Sequence, residues 1–408
     1  MFSFESFVFS FESFVFSFES FVFKFFHHKG HEGFHKGHKG SMVQLLSMMR
    51  NTGLIIILFL INSSVHSQET KAGKHFFAGF QSHYGFIIPH TAAIEPVSHT
   101  RPYGFELSFN RLHTSYEKWK IFRRYTISGL QLGYFNFQNP DIVGNSYMLS
   151  IFTEPIILTR NRYVFSVKGG AGSSWQTRIH DPVNDSLNKF FSTRISFPLY
   201  LSAKMKYRIT QNALLTLAGC YNHISNGAVR LPNYGINFPT VSLGVEYFPK
   251  PFPELNHNYT AEQSSRPAER YFMFQGLTGY KIVYGEPTWS FGISARFTRH
   301  LRTFYALNAG AELLFDGGVR RMIVIEDRQI DDKRFSVTAG QDLLFGKVVF
   351  TQYLGIYFYT PYKPMSPVYQ KYELSYRFLP NFQTGIYLLA YGGDADLFGL
   401  AVSYRMKL

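Results

Sequence analysis

The chain has 408 residues, of which 17% are charged and 18% aromatic, with 44 Phe and 27 Tyr against 3 Trp. Its formal net charge of +14 raises nucleic-acid binding, but the Lys and Arg residues are scattered among aromatics along strand-like runs and form no dense cluster, which argues against it. A mean hydropathy near zero excludes a bundle of apolar helices, and the single cysteine, Cys220, excludes an intrachain disulfide framework.

The first 47 residues are low in complexity. The unit FSFESFV occurs three times without mismatch from Phe2 to Val22, and His28–Gly40 repeats short His- and Gly-rich units. Identity at that level points to recent tandem duplication, so this stretch is expected to lie outside the fold, as a disordered extension or a region ahead of a misassigned start codon. A His-rich metal-binding tract is the weaker alternative. Residues 48–67 read as a secretory signal: a basic start at Arg50, an apolar core LIIILFLI over Leu54–Ile61, and small residues up to Ser67. The core is too short to span a bilayer as a helix. The mature chain is expected to begin near Gln68, with translation starting near Met42, Met48 or Met49.

From residue 68 onward the pattern is all strand. Runs of about ten residues alternate with period two. Along Ile195–Tyr207, one face carries Ile195, Phe197, Leu199, Leu201, Ala203, Met205 and Tyr207, and the other carries Ser196, Tyr200, Ser202, Lys204 and Lys206. Strands are expected near 76–87, 102–112, 124–137, 146–158, 162–173, 190–207, 213–225 and 237–248. A Pro-bearing polar stretch, 250–270, reads as a linker, and about eight further runs follow over 271–408. Strand length and aromatic-rich apolar faces favour an all-β, antiparallel transmembrane β-barrel over a soluble sandwich. The expected layout is an eight-stranded barrel over 68–249 and a second barrel-like domain over 271–408, with one larger barrel of about sixteen strands as the alternative.

Chemistry concentrates in Cys220–Tyr247, CYNHISNGAVRLPNYGINFPTVSLGVEY. Positions i and i+2 of a strand share a face, so His223 lies beside Ser225, the pairing that activates a serine nucleophile. His223 and Ser225 share parity with Leu215, Leu217 and Tyr221, the more apolar set, which places them on the outer wall. Asn237 shares parity with Val241, Leu243 and Val245 on the next strand. A lipid reaches such a position more readily than a water-soluble substrate.

The string H-x-S-N, then P-N-x-G, then a polar residue fourteen positions after the His, resembles the signature of the lipid A 3-O-deacylases, also called the acyloxyacyl hydrolase-like barrels. The resemblance covers roughly residues 75–250. It implies an eight-stranded outer-membrane barrel that removes an ester-linked acyl chain from lipid A or a related lipid of the lipopolysaccharide leaflet. It implies Ser225 as nucleophile, His223 as general base and Asn237 in the place where the family has a Glu. Asn can orient an imidazole but cannot offset its positive charge. Glu246, the nearest downstream carboxylate, has the parity of the other face. Asn226, the Gly227 backbone and Asn233 are the candidates for oxyanion and substrate contacts; Gly227, Gly235, Pro232 and Asn233 also have a plain reading as turn residues.

The second half holds no equivalent pair, and Asp394 and Asp396 in the GGDAD segment read as a solvated tight turn. Serine–histidine chemistry requires no metal, and no cofactor is expected. The expected partners are acylated lipid and the outer membrane, with no nucleic acid and a homo-oligomer left open. A non-catalytic outer-membrane barrel, such as a small porin, a lipid-binding or a structural protein, is the competing reading. An outward-facing His223 separates the esterase from the pore.

Overall fold

A computed structural model describes residues 73–408 except 117, 120–123, 256–268 and 303. The repeats, the expected signal segment and most of the expected linker lie outside the described residues. The rest forms two closed barrels, each of eight antiparallel strands. The first comprises β1 (Lys74–Gly85), β2 (Tyr103–His113), β3 (Thr126–Asn136), β4 (Asn145–Arg160), β5 (Tyr163–Gln176), β6 (Ile195–Arg208), β7 (Ala213–Ser225) and β8 (Ile236–Tyr247). The second comprises β9 (Arg270–Val283), β10 (Glu286–Arg302), β11 (Tyr305–Phe315), β12 (Lys333–Phe345), β13 (Val348–Tyr359), β14 (Val368–Arg377), β15 (Phe382–Tyr391) and β16 (Asp394–Lys407). A single sixteen-stranded barrel is excluded, because β1 pairs with β8 and β9 pairs with β16, closing each sheet on itself.

Closure leaves no unpaired strand edge, which is the condition for β-structure in hydrocarbon. The alternation then separates two environments. On β6, Ser196, Tyr200, Ser202, Lys204 and Lys206 are buried in the lumen, while Leu199 and Met205 are exposed outside. On β1, Phe76, Phe80 and Tyr84 face outward against buried Phe77, Gln81 and His83. Such a continuous apolar belt is far larger than a water-facing surface tolerates and matches the lipid-facing band of membrane barrels.

The lumen of the first barrel is filled in three layers. A charged middle holds Lys168 on Glu106 at 2.5 Å, Lys206 between Glu154 at 2.5 Å and Glu246 at 2.8 Å, and Lys204 between Glu154 at 3.4 Å and Glu246 at 3.5 Å. Three lysines therefore face three glutamates, which keeps the buried set neutral apart from His83, 3.6 Å from Glu106. One end is closed by a cluster including Ile94, Phe135, Phe137, Phe190, Phe191, Ile224 and Phe238. The other is closed by Phe77, Leu112, Phe152, Leu214, Phe248 and Phe252.

Three expectations are corrected here. The run predicted from 190 starts as a strand only at Ile195, because Phe190 and Phe191 turn into the barrel mouth, where both are fully buried. The start of the expected linker is packed, not free: Phe252 lies 5.2 Å edge-on to Phe248, and its N–H donates to Gln211 O. Asp396 is not a solvated turn residue. Its carboxylate reaches Lys281 Nζ at 3.1 Å and Arg334 Nη1 at 3.4 Å inside the second barrel, while Asp394 heads β16 after the short hairpin.

The second barrel also carries an unpredicted helix, α1 (Gly317–Ile325), capped by Asp316, whose carboxylate accepts from Gly318 N and Val319 N. The runs expected over 271–408 are all strand-like, with no helix among them. The lumen of this barrel is again filled by ion pairs, among them Arg334–Asp316 at 3.1 Å, Arg296–Glu373 at 3.8 Å and the Lys371–Glu312 contact.

Because each lumen pair is buried, removing one partner strands a charge. Lys206→Met leaves Glu154 and Glu246 short of their closest cation, and a loss of about 3–5 kcal/mol is expected. Urea unfolding followed by the heat-modifiable gel shift checks this; an unchanged midpoint would refute the pairing.

Candidate active site

β7 and β8 are paired in a register that sets His223 opposite Asn237. Both outer-face series end at the same rim: Leu215, Leu217, Gly219, Tyr221, His223 and Ser225 on β7, and Val245, Leu243, Val241, Pro239 and Asn237 on β8. His223 Nδ1 lies 2.7 Å from Asn237 Oδ1. An amide oxygen only accepts, so this contact puts the proton on Nδ1 and leaves Nε2 with its lone pair. Ser225 follows two residues on, on the same face, with Phe197 of β6 as its cross-strand partner.

Loops roof this rim. After β1 the chain continues beside β8, with Phe86 N donating to Pro239 O at 3.2 Å and Ile88 N to Asn237 O at 2.9 Å. That path carries His90 to the far side of Asn237, with His90 Nδ1 3.2 Å from Asn237 Nδ2 and His90 Nε2 3.0 Å from Tyr234 O. The roof leaves Asn237 only 6% exposed, although it belongs to the outer wall. Burial holds the His90 imidazole below its ordinary pKa, against the opposing hydrogen bonds to the Ile88 and Tyr234 carbonyls.

The β7–β8 loop, 226–235, is braced from within and from both sides. Asn226 N donates to Asn233 Oδ1 at 3.0 Å, and Asn226 Nδ2 donates to Arg230 O at 2.8 Å. Tyr234 N and Gly235 N donate to Lys189 O and Phe190 O of the β5–β6 loop, and Ser192 Oγ donates to Pro232 O. From the second barrel, Ile282 N donates to Val229 O at 2.8 Å. There too, Phe398 stacks on Phe197 at 4.5 Å and lies against Gly227.

Among the sequence-predicted residues, the structure brings His223, Ser225 and Asn237 to one rim. Asn226 is occupied as a loop brace through both its backbone N–H and its side-chain amide. Asn233 has its oxygen engaged by Asn226 N, which leaves Nδ2 as its donor end. Gly227 adopts φ +65° against Phe398. Glu246 lies in the lumen on Lys206, away from His223.

Sequence reasoning missed His90 and Phe398, which lie in a loop and in the other barrel and share no spacing with the motif, and it passed over Tyr234, the unspecified position of P-N-x-G. It also understated Gly235. With φ +66° it suits glycine, but a Cβ there would also stand 3.0 Å from His223 Cε1 and 3.0 Å from Ser225 Cβ.

Below the rim, the outer wall is hollowed into a groove of about 1080 Å³ across β6, β7, β8, β1 and β2. Small residues form its floor: Ala203 and Gly219 are cross-strand partners, and a Cβ on Gly219 would meet nothing within 4 Å. Tyr84, Phe86, Phe105 and Leu243 flank it. Among the described residues, no group of three His, Cys, Asp or Glu is placed to hold a metal ion.

Gly235→Ala introduces both backbone strain and a contact on the two side chains. A fall in kcat of about tenfold or more is expected from that displacement, with the barrel's thermal unfolding changed far less. A hydrolase assay beside an unfolding curve checks it, and unchanged kcat would show that the close approach is of no consequence.

Two family models match the chain. "Lipid A 3-O-deacylase (PagL)" matches residues 103–246, and "Acyloxyacyl hydrolase, C-terminal domain" matches 270–408. No curated protein matches. Among solved structures, the outer membrane enzyme PagL aligns at 13% identity, covering 41% of this chain and 97% of that one, with a TM-score of 0.31. The Acinetobacter baumannii outer membrane protein Omp33 aligns at 9% identity, covering 83% of this chain and 100% of that one, with a TM-score of 0.17. The first match falls on the first barrel from β2 to β8 and the second on the whole of the second barrel, so the chain carries a region that matches the lipid A 3-O-deacylase family followed by one that matches the acyloxyacyl hydrolase C-terminal domain family.

Proposed function

We propose that this protein is an outer-membrane serine esterase that removes an ester-linked acyl chain from lipid A or a closely related lipid. The observation that carries the reading is the His223–Asn237 contact of 2.7 Å on the outer wall, with Ser225 two residues along the same face. Nε2 of His223 takes the Ser225 hydroxyl proton as Oγ attacks the ester carbonyl carbon. The tetrahedral oxyanion is met by Asn233 Nδ2 and the Gly227 N–H. Collapse expels the sugar alkoxide, which takes the proton back from His223, and leaves an acyl-serine. Water, deprotonated by the same Nε2, then releases the fatty acid.

The groove below the rim supports a lipid substrate. It is apolar, opens toward the membrane and has room for an acyl chain over Gly219. The filled lumen speaks against a pore, because a conducting barrel keeps water where Lys168, Lys204 and Lys206 here meet their carboxylates. Asn237 orients the base without offsetting the imidazolium that forms, so turnover is expected to be slower than with a carboxylate there.

Expression from Met48 in a Gram-negative host, beside Ser225→Ala, followed by mass spectrometry of extracted lipid A, tests the reading. Loss of one acyl chain is expected with the wild type. With purified protein, Ser225→Ala should lower kcat on the order of a thousandfold or more. Unchanged lipid A with the wild-type barrel folded in the outer membrane would contradict lipid A as substrate.

A further inference from the structure

We infer that His90 is a positioning residue: by accepting a hydrogen bond from Asn237 Nδ2 while donating one to Tyr234 O, it fixes which way the Asn237 amide faces and therefore which nitrogen of His223 carries the proton. The inference rests on the reading of His223 as the base and deepens it.

An Asn side chain presents two ends of nearly the same shape, one accepting and one donating. A carboxylate in its place has only acceptors, so a Glu settles the His223 tautomer by itself. Asn237 does not. With its amide reversed, Nδ2 would face His223 Nδ1, the proton would move to Nε2, and the lone pair that the proposed general base needs would be lost. Something on the far side of the amide must decide between the two orientations, and His90 occupies that side.

The decision begins at a group with no choice. The Tyr234 carbonyl oxygen only accepts, and His90 Nε2 lies 3.0 Å from it. The neutral ring therefore carries its proton on Nε2 and turns the Nδ1 lone pair to Asn237 Nδ2 at 3.2 Å. The competing contact, His90 Nδ1 to Ile88 O at 3.5 Å, is longer. Using it would also set the Nε2 lone pair against the Tyr234 oxygen. Donors and acceptors then alternate without conflict from Tyr234 O through His90 and Asn237 to His223, ending on an unprotonated Nε2. Each end of the relay is held by backbone. Tyr234 N is bound to Lys189 O, and the 86–90 segment is laced to β8 through Ile88 N and Asn237 O.

Four variants and one spectrum test this. His90→Phe keeps bulk but cannot accept, and kcat should fall roughly tenfold to a hundredfold with KM little changed. His90→Gln, whose amide supplies one acceptor and one donor, should recover most of the loss. In the Asn237→Glu background the carboxylate sets the tautomer alone, so adding His90→Phe should cost far less than it does in the wild type. Imidazole ¹⁵N shifts of the folded barrel in detergent should report His223 as the Nδ1–H form in the wild type and a mixture or the Nε2–H form in His90→Phe. Wild-type kcat in His90→Phe, or an unchanged His223 tautomer there, would overturn the inference. If Ser225→Ala retains full activity, or the wild type has none, it is the esterase reading that fails. The ¹⁵N spectra then decide the role of His90 by themselves.

Discussion

A strand edge cannot be left open in hydrocarbon, and every other feature of this molecule follows from how that constraint is met. Backbone N–H and C=O groups unpaired in lipid cost several kcal/mol each, so each sheet closes on itself, β1 on β8 and β9 on β16. Closure sorts every strand residue to wall or lumen by parity. The lumen of an eight-stranded barrel is just wide enough for side chains to fill. In the first barrel they do so with a neutral set of lysines and glutamates between two apolar layers. The ion pairs hold the two sides of the cylinder together and stiffen the wall from within.

That stiffness is what the proposed pairing of base and nucleophile needs. His223 and Ser225 sit on the last residues of a strand whose register with β6 and β8 is fixed along its length. What the strands do not determine, the loops supply. The β1–β2 loop brings His90 over Asn237, the β5–β6 loop holds Tyr234 and Gly235, and the second barrel contributes Ile282 and Phe398 to the β7–β8 loop. The C-terminal barrel has no His-x-Ser pair of its own, yet it touches the loop that carries the proposed oxyanion donors. In the proposed mechanism, an Asn in the place of an acid removes charge support from the base and adds an orientational ambiguity; the neighbouring imidazole resolves the ambiguity and not the charge.

Period-two alternation made most of the fold legible. The predicted 213–225 strand coincides with β7, and the Ile195–Tyr207 faces fall in the lumen and on the wall as their parity requires. Alternation failed where burial, not pairing, ruled the residue. Phe190 and Phe191 read as strand but plug the barrel mouth, and Asp396 read as a solvated turn but lies in a lumen ion pair. The short helix after β11 was hidden because Val-Ile runs serve a strand equally well, and its start is marked only by Asp316. At the site, parity gave the outer face of His223, Ser225 and Asn237. No local pattern could reveal His90 or Phe398. Their partners are 147 positions from His90, across the sheet, and in a different barrel from Phe398.

In the proposed function, an outward-facing serine on the rim of the first barrel is a nucleophile activated by its neighbouring histidine. This is tested most directly by treating the folded full chain in detergent with a fluorophosphonate and mapping the adduct by mass spectrometry. Covalent modification at Ser225, abolished by unfolding and by His223→Ala, is expected. An unmodified Ser225 in a barrel shown to be folded, or an adduct spread equally over other serines, would contradict it.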